Sequence, residues 1–255
     1  MKILVPVKSI PSGIPAAFTG INLAKQLGGK VIFLHVAEDR ILVRSSFLTL
    51  SDSMIKTLKE IGREILGQVT EKADEAGIKS ESLMLEGLPH EEILSQGEEC
   101  ELIVMSARIF PRGGRGDDTT QHVIENTKKP VLLTGSILDR FDRFFVGFDG
   151  SKQSYRAIEY LKKGSLKPKE IFIGYVASTP EKRKAGPKLL EEAKESMAGL
   201  NLPVSTSLMS VDEKEKIAEE ILHFCKDNEI DLCFVGKTGK GAFKRFFLGS
   251  VSRRL

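Results

Sequence analysis

The chain states one pattern twice, and that repetition constrains its fold more than any other feature. Ile32-Phe33-Leu34-His35-Val36-Ala37 aligns with Phe172-Ile173-Gly174-Tyr175-Val176-Ala177, 140 positions later. Glu101-Leu102-Ile103-Val104-Met105-Ser106 aligns with Asp231-Leu232-Cys233-Phe234-Val235-Gly236 at an offset of 130, so the second copy has the shorter middle. Its 255 residues are comfortable for two domains of ordinary size. They are expected at 1–138 and 142–255, with the short, partly polar stretch Gly135 to Arg143 as a junction of little slack.

Each copy alternates strand and helix signals. In the first, Lys2 to Val7 reads as a strand. Ala17, Ile21, Ala24 and Leu27 form a helical stripe closed by Gly28-Gly29, and Val31 to Val36 is a near-continuous apolar strand. A long helix is expected from Asp52 to Ala76, then a strand near Ser82 to Leu85. A helix from His90, a strand from Glu101, a helix near Thr119 to Asn126 and a strand ending at Thr134 follow. The second copy runs in the same order from Arg143 to Val235. Strands too uniformly apolar to have a wet face indicate parallel sheets covered on both sides. The fold class is therefore α/β: two tandem open parallel sheets flanked by helices, Rossmann-like. The stretch Ser45 to Ser53 reads as a lid or as a lead-in to the long helix, and the lead-in is preferred.

No apolar run approaches the roughly 20 residues that span a bilayer. The start, Met1 to Val7, reads as a strand and not as a signal peptide, so a cytoplasmic location is expected. Cys100, Cys225 and Cys233 lack metal-type spacing and suit a reducing compartment. A formal charge of +3 gives no argument for nucleic acid. His35, His90, His122 and His223 have no ligand spacing, and no Gly-x-Ser-x-Gly elbow anchors a hydrolase triad.

One loop stands out. The fourth strand of the second copy runs into Gly236-Lys237-Thr238-Gly239, and nine residues separate Gly239 from Gly249-Ser250. Ligands of parallel α/β sheets bind beyond the carboxyl ends of the strands. Glycines there let the backbone approach a phosphate, and N–H groups at a helix start favour an anion. Lys237, Lys240, Lys244 and Arg245 add positive charge, while Gly236 to Ser250 contains no Asp, Glu or His to act as a base. A P-loop is rejected, because the glycine it needs five residues before Gly236 is Asp231. Plain turn glycines and a solvated basic face are the competing readings, and Asp149 could simply cap the helix that starts near Ser151.

Gly236-x-x-Gly239, nine residues, then Gly249-Ser250, with Val146-Gly147-Phe148-Asp149-Gly150-Ser151 and Asp231 to Gly236, resembles the signature of the ATP-binding universal stress proteins. The resemblance covers both copies and implies the adenine nucleotide alpha hydrolase-like variant of the fold. It implies that Gly147 and Asp149 lie at the adenine end, with a backbone contact near Val176. Val235, Gly236, Gly239, Gly249, Ser250, Val251 and Ser252 would surround ribose and phosphates. The implied ligand is ATP or AMP; Mg2+ or Mn2+ would accompany it in a slow ATPase or phosphotransferase, where metal and water stand in for a side-chain base.

The first copy departs from this pattern at each diagnostic place. Lys8 replaces Asp149, Ser106 and Ile109 replace Gly236 and Gly239, and Asp117-Asp118 falls near the expected Gly-Ser. One competent site per chain is expected. Arg108, Arg112 and Arg115 among glycines could still hold some anion. The second copy reaches Leu255 inside the helix that should precede a fifth strand, so its sheet is expected to lack that strand. In the family the fifth strand lies at the sheet edge and commonly pairs domains, so homo-oligomer formation or pairing between the two domains is implied. Three functions compete: a nucleotide-responsive regulatory module, a slow metal-dependent ATPase or phosphotransferase, and a scaffold with an empty site.

Overall fold

The computed structural model describes residues 1–43, 46–107 and 118–236. The chain divides into two compact units between Asp139 and Arg140.

The first unit runs β1 (Lys2–Pro6), α1 (Ile14–Leu27), β2 (Lys30–Glu38), β3 (Arg40–Val43), β4 (Ser46–Thr49), α2 (Asp52–Glu75), β5 (Ser80–Gly87), α3 (Pro89–Gly97), β6 (Leu102–Ser106), α4 (Asp118–Asn126) and β7 (Val131–Thr134). Five of its strands form one parallel sheet in the order β5-β2-β1-β6-β7. The second unit runs β8 (Arg143–Gly147), α5 (Lys152–Lys162), β9 (Glu170–Ala177), α6 (Pro180–Ser196), β10 (Val204–Ser210), a 3-10 turn (Lys214–Lys216), α7 (Ile217–Asp227) and β11 (Leu232–Phe234). Its parallel sheet has the order β10-β9-β8-β11, four strands among the described residues. Both sheets are the doubly wound kind expected from the sequence, and among the described residues the second shows four strands where the first has five.

Local chemistry explains the helix ends. Pro15 sits in the first turn of α1, where a missing N–H costs nothing, and Gly28 ends it at φ 62°, a left-handed conformation that a Cβ resists. Ser51, Ser151 and Thr179 cap α2, α5 and α6, each side chain accepting a hydrogen bond from an N–H three residues on. The stretch preferred as a helix lead-in is instead half of a hairpin: Arg40–Val43 pairs antiparallel with Ser46–Thr49 before Ser51 starts α2. Two short β-prone runs end too close to the helix cap for period alone to separate them.

The central strands of each sheet are buried on both faces, as their apolar runs require. In the first unit Leu4, Ile32, Leu34, Ile103 and Met105 pack on Ile93 of α3 and Val123 of α4. In the second, Phe145, Val176 and Met209 pack on Ile217 and Ile221 of α7, with Phe145 and Phe224 rings 5.3 Å apart. A histidine and a tyrosine occupy equivalent places in the two second strands, and each leans on a helix glycine. A Cβ on Gly62 would fall 2.5 Å from His35 Cδ2, and one on Gly186 would fall 3.1 Å from Tyr175 Cδ1. His35 Nδ1 lies 2.8 Å from the Val7 carbonyl, and burial holds its pKa below the ordinary value despite that bond. The ring is a neutral spacer of the core.

An acidic clip at the amino end of the sheet also recurs. Glu101 accepts the Lys2 N–H in the first unit. In the second, Asp231 Oδ2 accepts from Asp142 N at 2.8 Å and Arg143 N at 2.9 Å, while Oδ1 meets Arg140 Nη2 at 3.3 Å. The Asp231 side chain is only 9% exposed. Asp231→Ala orphans two backbone donors where β8 starts, so it is expected to destabilise the second unit by about 2 kcal/mol. Asp231→Asn keeps an acceptor and should recover most of the loss, as measured by denaturant unfolding.

Candidate functional site

In a doubly wound sheet the crevice for ligands opens where successive connections leave in opposite directions. That point lies between β1 and β6 in the first unit and between β8 and β11 in the second. The sequence candidates Gly147, Asp149, Val235 and Gly236 all fall at the carboxyl ends of β8 and β11, on the lips of that crevice. Val176 is one strand away, near the end of β9, 9% exposed in the core that holds Phe145. Its side chain is occupied by packing, so its backbone is the part it can offer. Gly239, Gly249, Ser250, Val251 and Ser252 lie outside the described residues, as does the Arg108 to Gly116 loop.

Packing accounts for both described glycines. A Cβ on Gly147 would lie 3.0 Å from Val235 Cγ1 and 3.7 Å from Phe145 Cε1. One on Gly236 would lie 2.7 Å from Gln153 Cβ and 3.4 Å from Gln153 carbonyl carbon. Both distances to side chains are at or inside tight contact, so the backbone after β11 sits directly against the first turn of α5. Gln153 is a residue that sequence reasoning missed. Nothing in its identity marks it, because only the fold brings residue 236 to residue 153.

Asp149 and Ser151 divide the roles that the sequence left open. Ser151 caps α5, its side chain accepting from Ser154 N at 3.2 Å. Asp149 Oδ1 accepts from Ser151 N at 2.9 Å across Gly150, whose φ of 68° makes the turn. Asp149 thus shapes the turn ahead of the cap and stays half-buried at the crevice mouth. Its charge also reaches β9: burial first, then Asp149, pushes the Tyr175 hydroxyl pKa up.

One side chain spans the equivalent crevice of the first unit, and another is paired beside it. Ser106, the counterpart of Gly236, donates from Oγ to the Ser12 carbonyl at 2.8 Å, linking β6 to the turn after β1. Lys8, the counterpart of Asp149, pairs with Glu38 at the end of β2, 3.2 Å away. A serine and a lysine replace a glycine and an aspartate, and each finds a protein partner where the second unit presents backbone and carboxylate. Among the described residues, no group of three or more His, Cys, Asp or Glu side chains could hold a metal ion, and no helix is long and apolar enough to cross a membrane.

The comparisons with known proteins agree with this double architecture. The universal stress protein family matches residues 1–135 and again residues 140–255. A universal stress protein of Methanocaldococcus jannaschii is 31% identical over 140 residues, which cover 52% of this chain and 80% of that protein. One from Synechocystis is 22% identical over 264 residues, covering 91% of this chain and 88% of its own. The crystal structure of a universal stress protein from Archaeoglobus fulgidus superposes with a TM-score of 0.74 at 23% identity, over 99% of this chain and 90% of that one, and supports the fold. The repeated sheet, the repeated acidic clip and the twofold family match have one conclusion: this chain belongs to the universal stress protein family and carries its domain twice in tandem.

Proposed function

We propose that the second unit binds one adenine nucleotide, ATP or AMP, at the carboxyl ends of β8 and β11, and that the chain acts as a nucleotide-responsive regulatory module. The observation that carries this reading is the contrast between the two switch-point crevices. In the first unit Ser106 spans to Ser12, and Lys8 is paired beside it with Glu38. In the second, Gly147 leads into the Asp149 turn, Gly236 lies against Gln153 of α5, and the glycine-spaced basic loop continues from Gly236.

Each group has a role in this reading. Asp149 reads the adenine end, the backbone near Val176 supports the base, and Val235 and Gly236 lead the chain beneath the ribose. Gly239 and the Gly249-Ser250 turn, with Val251 and Ser252, present N–H groups to phosphate, and the lysines of the loop balance its charge. The loop holds no carboxylate or imidazole, which favours holding a nucleotide over hydrolysing it. A metal ion, Mg2+ or Mn2+, would enter on the phosphates.

Denaturing the purified chain and identifying the released nucleotide by chromatography and mass tests this. The expected result is an adenine nucleotide at one per chain after saturation. Saturation at two per chain would overturn the assignment of a single site, and no binding of ATP or AMP at millimolar concentration would overturn the function.

A further inference from the structure

The two cysteines of the second unit are distant in role from the nucleotide crevice, yet the fold brings them together. Cys225 lies in the last turn of α7 and Cys233 in the middle of β11. The helix ends in a tight return in which Glu229 takes φ 50° and Ile230 N–H donates to the Cys225 carbonyl at 2.8 Å. β11 then pairs with β8 so that Cys233 stands opposite Phe145. Residues paired across a sheet point to the same face. The Phe145 ring packs on Phe224, the neighbour of Cys225, and Cys225 itself packs against the cluster that contains Phe145. Register and helix packing therefore set both thiols on the α7 side of the sheet, within each other's electrostatic reach. The neighbouring Cys225 thiol first, and lost hydration second, push the Cys233 thiol pKa well above its ordinary value. Both are free thiols, Cys225 half-buried and Cys233 exposed, while the third cysteine, Cys100, is buried in the other unit.

We propose that Cys225 and Cys233 form a redox modification site, a dithiol that closes into an intrachain disulfide by exchange with a small-molecule disulfide. The exposed Cys233 sulfur, as thiolate, attacks one sulfur of the incoming disulfide. That S–S bond breaks, and the departing thiolate takes up the proton that Cys233 released. Cys225, as thiolate, then attacks Sγ of Cys233 in the mixed disulfide and expels the second small thiol, which takes the Cys225 proton. Two protein thiols are oxidised and one small disulfide is reduced to two thiols, so atoms and electrons balance. The second step is fast because the resolving thiol stands on the same face of the sheet as the sulfur it attacks. The first is slow at neutral pH because the thiolate is the nucleophile and the raised Cys233 thiol supplies little of it. The site therefore responds to sustained oxidation, and closure ties α7 to the strand that leads into Val235 and Gly236.

The test uses the full chain incubated with oxidised glutathione, followed by alkylation of free thiols and tryptic digestion. Cleavage after Lys216, Lys226 and Lys237 puts the two cysteines on separate peptides, 217–226 and 227–237. The expected product is those two peptides joined by a bond that reduction removes, with Cys100 still alkylated. In Cys225→Ser the reaction should stop at the mixed disulfide, raising glutathione on 227–237 by about tenfold over the wild type. A wild-type chain that carries stable glutathione on Cys233 at the level of the variant, with no joined peptides, would overturn the proposal. So would a bond between the Cys233 residues of two chains. The joined peptides are read on the wild-type chain, so a variant that fails to fold does not remove the test, and none of its outcomes depends on nucleotide binding.

Discussion

Gly239→Asp should strip the second unit of nucleotide, weakening ATP or AMP binding by roughly 100-fold, while Ile109→Asp, at the matching place in the first unit, should leave affinity unchanged. Gly239 lies outside the described residues, so the expectation rests on its place in the loop that continues from Gly236. An aspartate there adds a side chain where backbone is proposed to meet phosphate, and it sets a negative charge against a polyanion. Like charges brought together at an interface cost several kcal/mol, and about 3 kcal/mol is the stated factor in affinity. Titration calorimetry with ATP and with AMP reads both variants. Equal loss in the two would mean that the units bind together or that charge acts at long range, and unaltered affinity in Gly239→Asp would move the site elsewhere. Raising the salt concentration separates these outcomes, because long-range charge effects fade beyond about 10 Å at 0.1 M ionic strength.

How much of this could be read from the chain follows the range of the interactions. The strands came through because each is an apolar run that a parallel sheet needs, and the 140- and 130-residue offsets placed them in pairs. The recurrent acidic residue before the fourth strand was visible as Glu101 and Asp231, but its use as a clip for the first strand was not. Periodicity reports which face a residue occupies and says nothing of what it meets across the fold. The hairpin Arg40–Val43 with Ser46–Thr49 was lost for a different reason, since runs of four residues carry too few periods to outweigh the cap that follows. At the candidate site, the loss of the motif in the first unit was legible at Lys8 and Ser106. Their partners, Glu38 and Ser12, were not, and neither was the approach of Gly236 to Gln153. Glycine in a sequence signals close approach without naming the neighbour.

Gly174→Ala should destabilise the second unit through its core, and it tests whether such a neighbour has been identified correctly. Gly174 pairs with Gly147 across β8 and β9. A Cβ on Gly174 would lie 2.3 Å from both Cε2 and Cζ of Phe145 and 2.7 Å from Met209 Cε. The methionine can swing away, but the Phe145 ring is fully buried, with Phe224 packed on it from α7. Forcing a methyl group into a filled core costs about 1–3 kcal/mol, more than alanine regains over glycine in a strand. The unfolding midpoint of the second unit should fall by roughly 4–8 °C for each kcal/mol lost. Phe145→Leu removes the ring atoms that the new methyl would strike, at the cost of a partial cavity. In the double variant the methyl occupies part of that cavity, so the two losses should not add, and a coupling of about 1 kcal/mol or more is expected from denaturant unfolding of the four forms. Strict additivity would show that Gly174 is needed for something other than the ring. The same ring lies 3.7 Å from the Cβ position of Gly147, beside the turn that Asp149 holds. Gly174→Ala should therefore also loosen nucleotide binding, and Phe145→Leu should restore it in step with stability, because one side chain fills the space that both glycines leave.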